Sequence, residues 1–261
     1  HLWGHQAEAL NLIGAGKNVI VTTGTASGKS LVYQAAALQR LRDGRGGSSL
    51  AGARRPTVLY LAPTKALAAD QLRRLPTGLA DLRPATVDGD NSREQRSWAR
   101  DHANWVLANP DVLHHTILPM HERWSRFLSG LRVVVIDECH HYRGVFGAHV
   151  ALILRRLNRV LAHYGAEPVF VLSSATVADP ANSAERLIDA PVAAVTEDAA
   201  PRARRTIAFW QPPILAVDES VQVRRSAATE AAELLADFVA SDTRTLAFVR
   251  SRRGAEELTQ Q

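Results

Sequence analysis

The segment Gly24-Thr25-Ala26-Ser27-Gly28-Lys29-Ser30 follows an apolar run, Val19-Ile20-Val21, and precedes a helical pattern that starts at Leu31. Strand, glycine-bearing loop and helix start, in that order, suit the binding of phosphate. Backbone N–H groups at a helix N-terminus cradle anionic oxygens, a lysine reaches the outer phosphates and a neighbouring hydroxyl ligates Mg²⁺. Thr25, Ala26, Ser27 and Gly28 are placed for the cradle, Lys29 for the phosphates and Ser30 for the metal. Far along the chain a second apolar run, Val133-Val134-Val135-Ile136, ends in Asp137-Glu138-Cys139-His140. Two adjacent carboxylates at the end of a core strand are costly to bury unless they hold a cation. Asp137 is suited to bind Mg²⁺ through water, and Glu138 to polarise the water that attacks a γ-phosphate. The pair of elements, in this order, points to a nucleoside triphosphatase. One departure stands out: the strict loop pattern has glycine where this chain has Thr23.

Such groups need a rigid sheet to hold them. Short, β-branched runs at Asn18–Thr22, Thr57–Leu61, Pro84–Val87, Trp105–Ala108, Arg132–Ile136 and Val169–Leu172 read as strands buried on both faces. Helical patterns alternate with them at Leu31–Arg42, Lys65–Leu75 and Phe146–Tyr164. This alternation predicts an α/β fold, a parallel sheet with helices on both faces. The stretch 43–56 reads as a surface loop and 196–205 as an inter-domain linker. Beyond it a new unit begins: a strand at Thr206–Trp210, a long helix around Glu219–Ala240, a strand at Thr245–Val249 and a helix from Arg252. The 261 residues are long for one compact domain and short for two. The expected division is a complete domain over 1–196, a linker over 197–205 and the start of a second domain over 206–261.

Composition narrows the class. With 46% hydrophobic and 22% charged residues the chain is an ordinary globular protein able to bury a core. No apolar run is long enough for a membrane span. A single cysteine, Cys139, excludes an internal disulfide and a cysteine-rich zinc site, and it fits a reducing, cytoplasmic setting. The net charge of +5, from 31 basic and 26 acidic residues, permits a polyanionic partner but also fits an arginine-rich genome bias. His102 and the pair His114-His115 lack companions at metal-ligand spacing. The five tryptophans sit in apolar patterns and read mostly as core.

Further short motifs occur in a fixed order: Gly24–Ser30, Ala62-Pro63-Thr64-Lys65-Ala66-Leu67, Ala108-Asn109-Pro110-Asp111, Asp137–His140 and Ser174-Ala175-Thr176. The chain resembles the first RecA-like motor domain of superfamily 2 helicases, in which motifs I, Ia, Ib, II and III stand in this order. Such helicases commonly have glycine where Ala26 stands. The segments Leu2–Ala9 (LWGHQAEA), Asp88-Gly89-Asp90 and Tyr142–Val150 make it similar, more narrowly, to the Hrq-type and SftH-type DNA helicases, which are RecQ-related. That resemblance implies ATP-dependent 3′-to-5′ translocation on single-stranded or partly duplex DNA, often in repair, with ATP and Mg²⁺ as cofactors. The four-cysteine module of that group is not in this chain.

By the same resemblance Gln6 contacts the adenine edge, and Thr64, Lys65, Asn109, Pro110 and Asp111 contact the phosphodiester backbone without sequence readout. His140 links the acidic box to Ser174 and Thr176, which couple nucleotide state to domain movement. For Tyr142–Phe146 two readings stay open: a loop that senses DNA through Arg143 or Phe146, or core residues of the following helix. The arginine fingers of such motors belong to a second domain, beyond Gln261. The chain by itself is therefore expected to be a weak ATPase, monomeric and unable to unwind DNA. Two other readings compete, an RNA helicase and a nucleotide-dependent binding module without turnover. An acidic box ending in Cys-His, together with Asp88-Gly89-Asp90, favours DNA; intact Lys29, Asp137 and Glu138 favour turnover.

Overall fold

Seven strands form one parallel sheet: β1 (Asn18–Val21), β2 (Thr57–Leu61), β3 (Pro84–Thr86), β4 (Trp105–Ala108), β5 (Leu131–Ile136), β6 (Val169–Ser173) and β7 (Val192–Val195). Their spatial order is β3-β4-β2-β5-β6-β1-β7. This is a computed structural model, and it describes residues 1–46, 54–76, 79, 81–201, 204–215 and 223–260. The helices of the first unit are α1 (Gly4–Gly14), α2 (Lys29–Gly46), α3 (Lys65–Arg74), α4 (Arg93–His102), α5 (Pro110–Val112), which runs into a π-helical turn at Leu113–Ile117, α6 (Ser125–Ser129), α7 (Gly144–His163) and α8 (Pro180–Ile188).

The strand period of two separates the apolar side chains into two cores. Val19, Val21, Val58, Tyr60, Val133, Val135 and Val171 pack with residues of α1, α2 and α3. Ile20, Leu59, Leu61, Val134, Ile136 and Leu172 face the other way, against α4, the π-helical turn, α6, α7 and α8. Both faces are covered, as the unbroken apolar runs require. The six expected strands form with ends shifted by at most a residue or so. The seventh, β7, was not legible: Val192-Ala193-Ala194-Val195 is short and half alanine. It pairs only with β1, and the Asn18 side chain ties it in by donating to Pro191 O at 3.0 Å.

Compact clustering places residues 1–201 in one unit and 202–261 in a second. Thr196 to Pro201 therefore belong to the first unit and are not linker, for a reason given below. Helix α2 continues through Gly46, so Asp43 to Gly46 are helical and not loop; residues 47–53 of that stretch lie outside the described residues. In the second unit β8 (Ile214–Leu215) pairs antiparallel with β9 (Val223–Arg224), followed by α9 (Ala227–Ala240) and α10 (Arg252–Gln260). Ser226 caps α9, accepting from Thr229 N at 3.0 Å, so the helix starts later than the expected Glu219, which itself lies outside the described residues. The strands expected at Thr206–Trp210 and Thr245–Val249 do not form. Neither run has a ladder partner among the described residues, and Phe209 and Phe248 are 98% and 88% exposed. An apolar run of strand-like composition becomes a strand only when a neighbour takes its N–H and C=O groups. Of the tryptophans only Trp105 and Trp124 are core; Trp98 and Trp210 are exposed.

Candidate nucleotide and nucleic-acid site

Each of the five motifs that stand in fixed order lies just past the carboxyl end of a parallel strand. Residues 22–30 follow β1, Ala62–Lys65 follow β2, Asn109–Asp111 follow β4, Asp137–His140 follow β5 and Ser174–Thr176 follow β6. Open α/β sheets bind ligands along this edge. Because β6 runs between β1 and β5, the Ser173–Thr176 segment separates the phosphate loop from the acidic pair.

The loop from Thr23 to Ser27 is held from within. Thr23 Oγ1 and Ser27 Oγ are 2.6 Å apart and both residues are buried, so the threonine that breaks the strict pattern closes the turn with its hydroxyl. Ala26 adopts φ +62°, a left-handed conformation that glycine takes freely and alanine at a cost of about 1 kcal/mol. Gly28 has φ +76°, where a side chain is strained, and a Cβ there would stand 2.5 Å from Gln6 Nε2 and displace it. Lys29, in the first turn of α2, donates to Thr23 O at 2.7 Å and Gly24 O at 2.8 Å. Burial holds its pKa below the ordinary lysine value, opposed by the charges of Glu138, Asp137 and Asp198.

Gln6 and His5 of α1 brace the same loop. Gln6 Nε2 donates to Gly28 O at 3.2 Å while its Oε1 accepts from Trp3 N at 3.0 Å. His5 is 2% exposed; its Nδ1 accepts from Ala199 N at 3.3 Å, which leaves Nε2 to donate to Ser27 O at 2.9 Å. Asp198 Oδ2 in turn accepts from Gly24 N at 3.2 Å. These bonds explain why residues 196–201 join the first unit: the chain leaving β7 is fastened to the phosphate loop.

The strand alternation that sends Val133 and Val135 toward α2 sends Asp137 the same way. Its carboxylate is 8% exposed and accepts four hydrogen bonds. Tyr33 of α2 donates to Oδ2 at 3.1 Å, Tyr60 of β2 donates to the same oxygen, and Ser173 Oγ and Glu138 N (3.0 Å) donate to Oδ1. Burial and the neighbouring carboxylate push both tyrosine hydroxyls above the usual tyrosine range, so both remain protonated donors. Glu138 takes φ +49° and keeps a third of its side chain exposed, so the strained residue is the one that reaches outward. His140 Nδ1 accepts from Ala175 N at 3.1 Å and lies 3.2 Å from Glu138 Oε2. Burial depresses the His140 pKa, opposed by the Glu138 charge, and so favours the neutral ring that acceptance from that backbone N–H requires. Cys139, between them, is buried and its thiol is pushed up to about 12 by burial.

The remaining sequence-predicted residues line the same edge but are engaged locally. Thr64 caps α3, accepting from Leu67 N at 3.3 Å, and the exposed Lys65 pairs with Asp90 at 2.9 Å. Asn109 caps α5, accepting from Val112 N at 2.8 Å, Pro110 is buried at its first position and Asp111 is exposed. Ser174 is buried and Thr176 exposed. The two readings of Tyr142–Phe146 divide between residues: Tyr142 is core at 8% exposure, whereas Phe146 is 45% exposed and Arg143 is exposed. Phe146 lines a groove with Asp111, His114, His149, Arg156 and Arg159.

Sequence reasoning missed Tyr33, Tyr60, Ser173, His5 and Asp198. Tyr33 stands one helical turn after Lys29, and Tyr60 is a polar-tipped ring between two leucines of a buried strand; each carried a signal. Asp198 carried none.

As to an ion, Ser30 Oγ and the Asp137 carboxylate are oxygen donors, the set that Mg²⁺ takes alongside phosphate and water. Among the described residues no cluster of three or more His, Cys, Asp or Glu side chains offers an all-protein metal cage. The residues present fit Mg²⁺ held jointly with a nucleotide.

Comparison with known proteins agrees with this geometry. The model of the DEAD/DEAH box helicase family matches residues 3–184. The ATP-dependent helicase YprA of Bacillus subtilis is 40% identical over 96% of this chain and 33% of its own length. The ATP-dependent helicase HRQ1 of Saccharomyces cerevisiae is 39% identical over 99% of this chain and 24% of its own. Among solved structures, the DUF1998 helicase MrfA bound to DNA superposes with a TM-score of 0.89 at 38% identity, covering 98% of this chain and 33% of that one. MrfA bound to DNA and AMPPNP gives 0.87. The chain thus spans a third or less of the length of these relatives, and it belongs to the DEAD/DEAH box helicase family.

Proposed function

We propose that the chain is the ATP- and DNA-binding motor portion of an ATP-dependent DNA helicase that moves 3′-to-5′ on single-stranded or partly duplex DNA in repair. The observation that carries this reading is the convergence of the phosphate loop and the Asp137–Glu138 pair on one sheet edge, with the Ser173–Thr176 segment bonded to both carboxylate-bearing residues and to His140. The loop N–H groups from Thr25 to Ser30 receive the phosphates, and Lys29 exchanges its loop carbonyls for phosphate oxygens. Ser30 and Asp137 hold the Mg²⁺, which when bound neutralises charge on the outer phosphates. Glu138 orients the attacking water. Gln6, already beside Gly28, stands where a base edge is read. His140 reports the state of the acidic box to Ser174 and Thr176 through Ala175.

Nucleic acid lies along the other half of the edge, over Thr64, Lys65 and Asn109–Asp111, whose helix N-termini and hydroxyls suit phosphate. The groove beside Asp111 extends that path. Helix α7 carries no acidic residue over its whole length, and Arg156, Arg159, His114 and His149 line the same groove as the exposed Phe146. Aromatic and cationic groups together suit single strands. The relatives named as DNA-bound and AMPPNP-bound support both ligands for this chain. The test is ATP turnover by the full-length protein with single-stranded DNA, RNA of the same sequence, or neither. Stimulation by DNA above RNA is expected. Preferential stimulation by RNA overturns the choice of nucleic acid, and no turnover under any condition overturns the ATPase.

A further inference from the structure

Tyr33 and Tyr60 come from different elements and converge on one carboxylate oxygen of Asp137. Both are at most 2% exposed, with ring centroids 5.7 Å apart. Ser173 Oγ and Glu138 N fill the other oxygen. Two donors on each oxygen fix a side chain of only two torsions in one orientation. The Ser30 hydroxyl is a further polar neighbour of the Tyr33 hydroxyl. Phenylalanine fills the same apolar space at both positions, so packing alone gives no reason for two hydroxyls to meet at a buried acid.

We propose that Tyr33 and Tyr60 are positioning residues for the Mg²⁺–nucleotide complex: together they orient Asp137, and Tyr33 aligns it with Ser30 across the gap between α2 and β5. The inference rests on the ATPase reading above and adds to it two residues outside the phosphate loop and the acidic box. Groups that orient metal-binding side chains without touching the ion typically contribute about 10–100-fold in metal affinity.

The experiment uses the full-length protein and a fluorescent ATP analogue, bound at equilibrium during a Mg²⁺ titration and again in EDTA. Tyr33→Phe and Tyr60→Phe are compared with Tyr142→Phe, which removes another buried hydroxyl, one without a protein partner among the described residues. The expected result is a rise of about 10-fold in the half-saturating Mg²⁺ concentration for the first two, with binding in EDTA unchanged and Tyr142→Phe like the parent. Wild-type Mg²⁺ dependence in both variants overturns the proposal, as does equal weakening with and without Mg²⁺. Should Tyr60→Phe fail to fold, Tyr33→Phe decides alone. A parent protein that shows no Mg²⁺-dependent binding at all fails the ATPase reading itself, and the proposal falls with it.

Discussion

The two halves of the strand edge are built in opposite ways. Around the phosphate loop and Asp137, local bonds are joined by a set of polar contacts between residues far apart in sequence: Tyr33, Tyr60 and Ser173 to Asp137, His5 to Ser27 and Ala199, Asp198 to Gly24. Around Thr64–Lys65 and Asn109–Asp111 the contacts are helix caps that reach three residues along the chain, plus one exposed ion pair. The first half is held by contacts across the fold, which favours chemistry that tolerates little displacement. The second is assembled locally, sufficient to present N–H groups and a cation to a repetitive phosphate backbone. Damage to the first half should therefore spread into stability, and damage to the second should remain a binding effect.

His5→Ala is the sharpest way to break that contrast. It removes a buried donor and a buried acceptor at once, leaving Ser27 O and Ala199 N without partners, at a cost of about 1–3 kcal/mol in stability. Chemical denaturation should show that loss together with faster backbone hydrogen exchange in residues 196–201. On the other side, Thr64→Ala should cost about 1 kcal/mol or less, the worth of one N-cap. Lys65→Ala should leave stability unchanged, weaken DNA binding uniformly across sequences and lower the salt slope of binding by about one. A large stability loss in Lys65→Ala would erase the distinction between the halves.

A smaller, pH-dependent effect lies at the joint between them. His140 has a depressed pKa in the folded chain, so as pH falls through the ordinary imidazole value the unfolded chain takes up the proton first. Its contribution to stability is complete above that value and is lost as pH falls toward the folded one, when protonation ends acceptance from Ala175 N. The thermal midpoint should thus fall less between pH 8 and pH 5 in His140→Asn than in the parent. An identical fall in both removes His140 from the coupling between the acidic box and the Ser174–Thr176 segment.

The sheet was readable because strands buried on both faces are short, unbroken, β-branched apolar runs, such as Val133–Ile136, that alternate with helical patterns. The gathering of the motif residues along one sheet edge was readable because each motif follows a run that reads as a strand. What was hidden depended on contact between distant segments. Nothing near Asp198 announces that it will meet Gly24, and nothing in VAAV distinguishes an edge strand from a loop. The runs at Thr206–Trp210 and Thr245–Val249 show the converse: their pattern is that of strands, but a ladder takes two, and among the described residues neither finds a second strand. The departure at Thr23 was visible in the sequence, while its compensation, a hydroxyl pair with Ser27, was not.

The central claim is that Glu138, strained and partly exposed beside a buried Asp137, activates water while the other residues only bind and orient. Glu138→Gln in the full-length protein tests it. A positioned general base is worth about 10²–10⁴-fold, so turnover of ATP should fall by at least about 100-fold while affinity for ATP and for single-stranded DNA stays within a few-fold of the parent. Turnover that survives the substitution, or nucleotide affinity that collapses with it, would contradict the account.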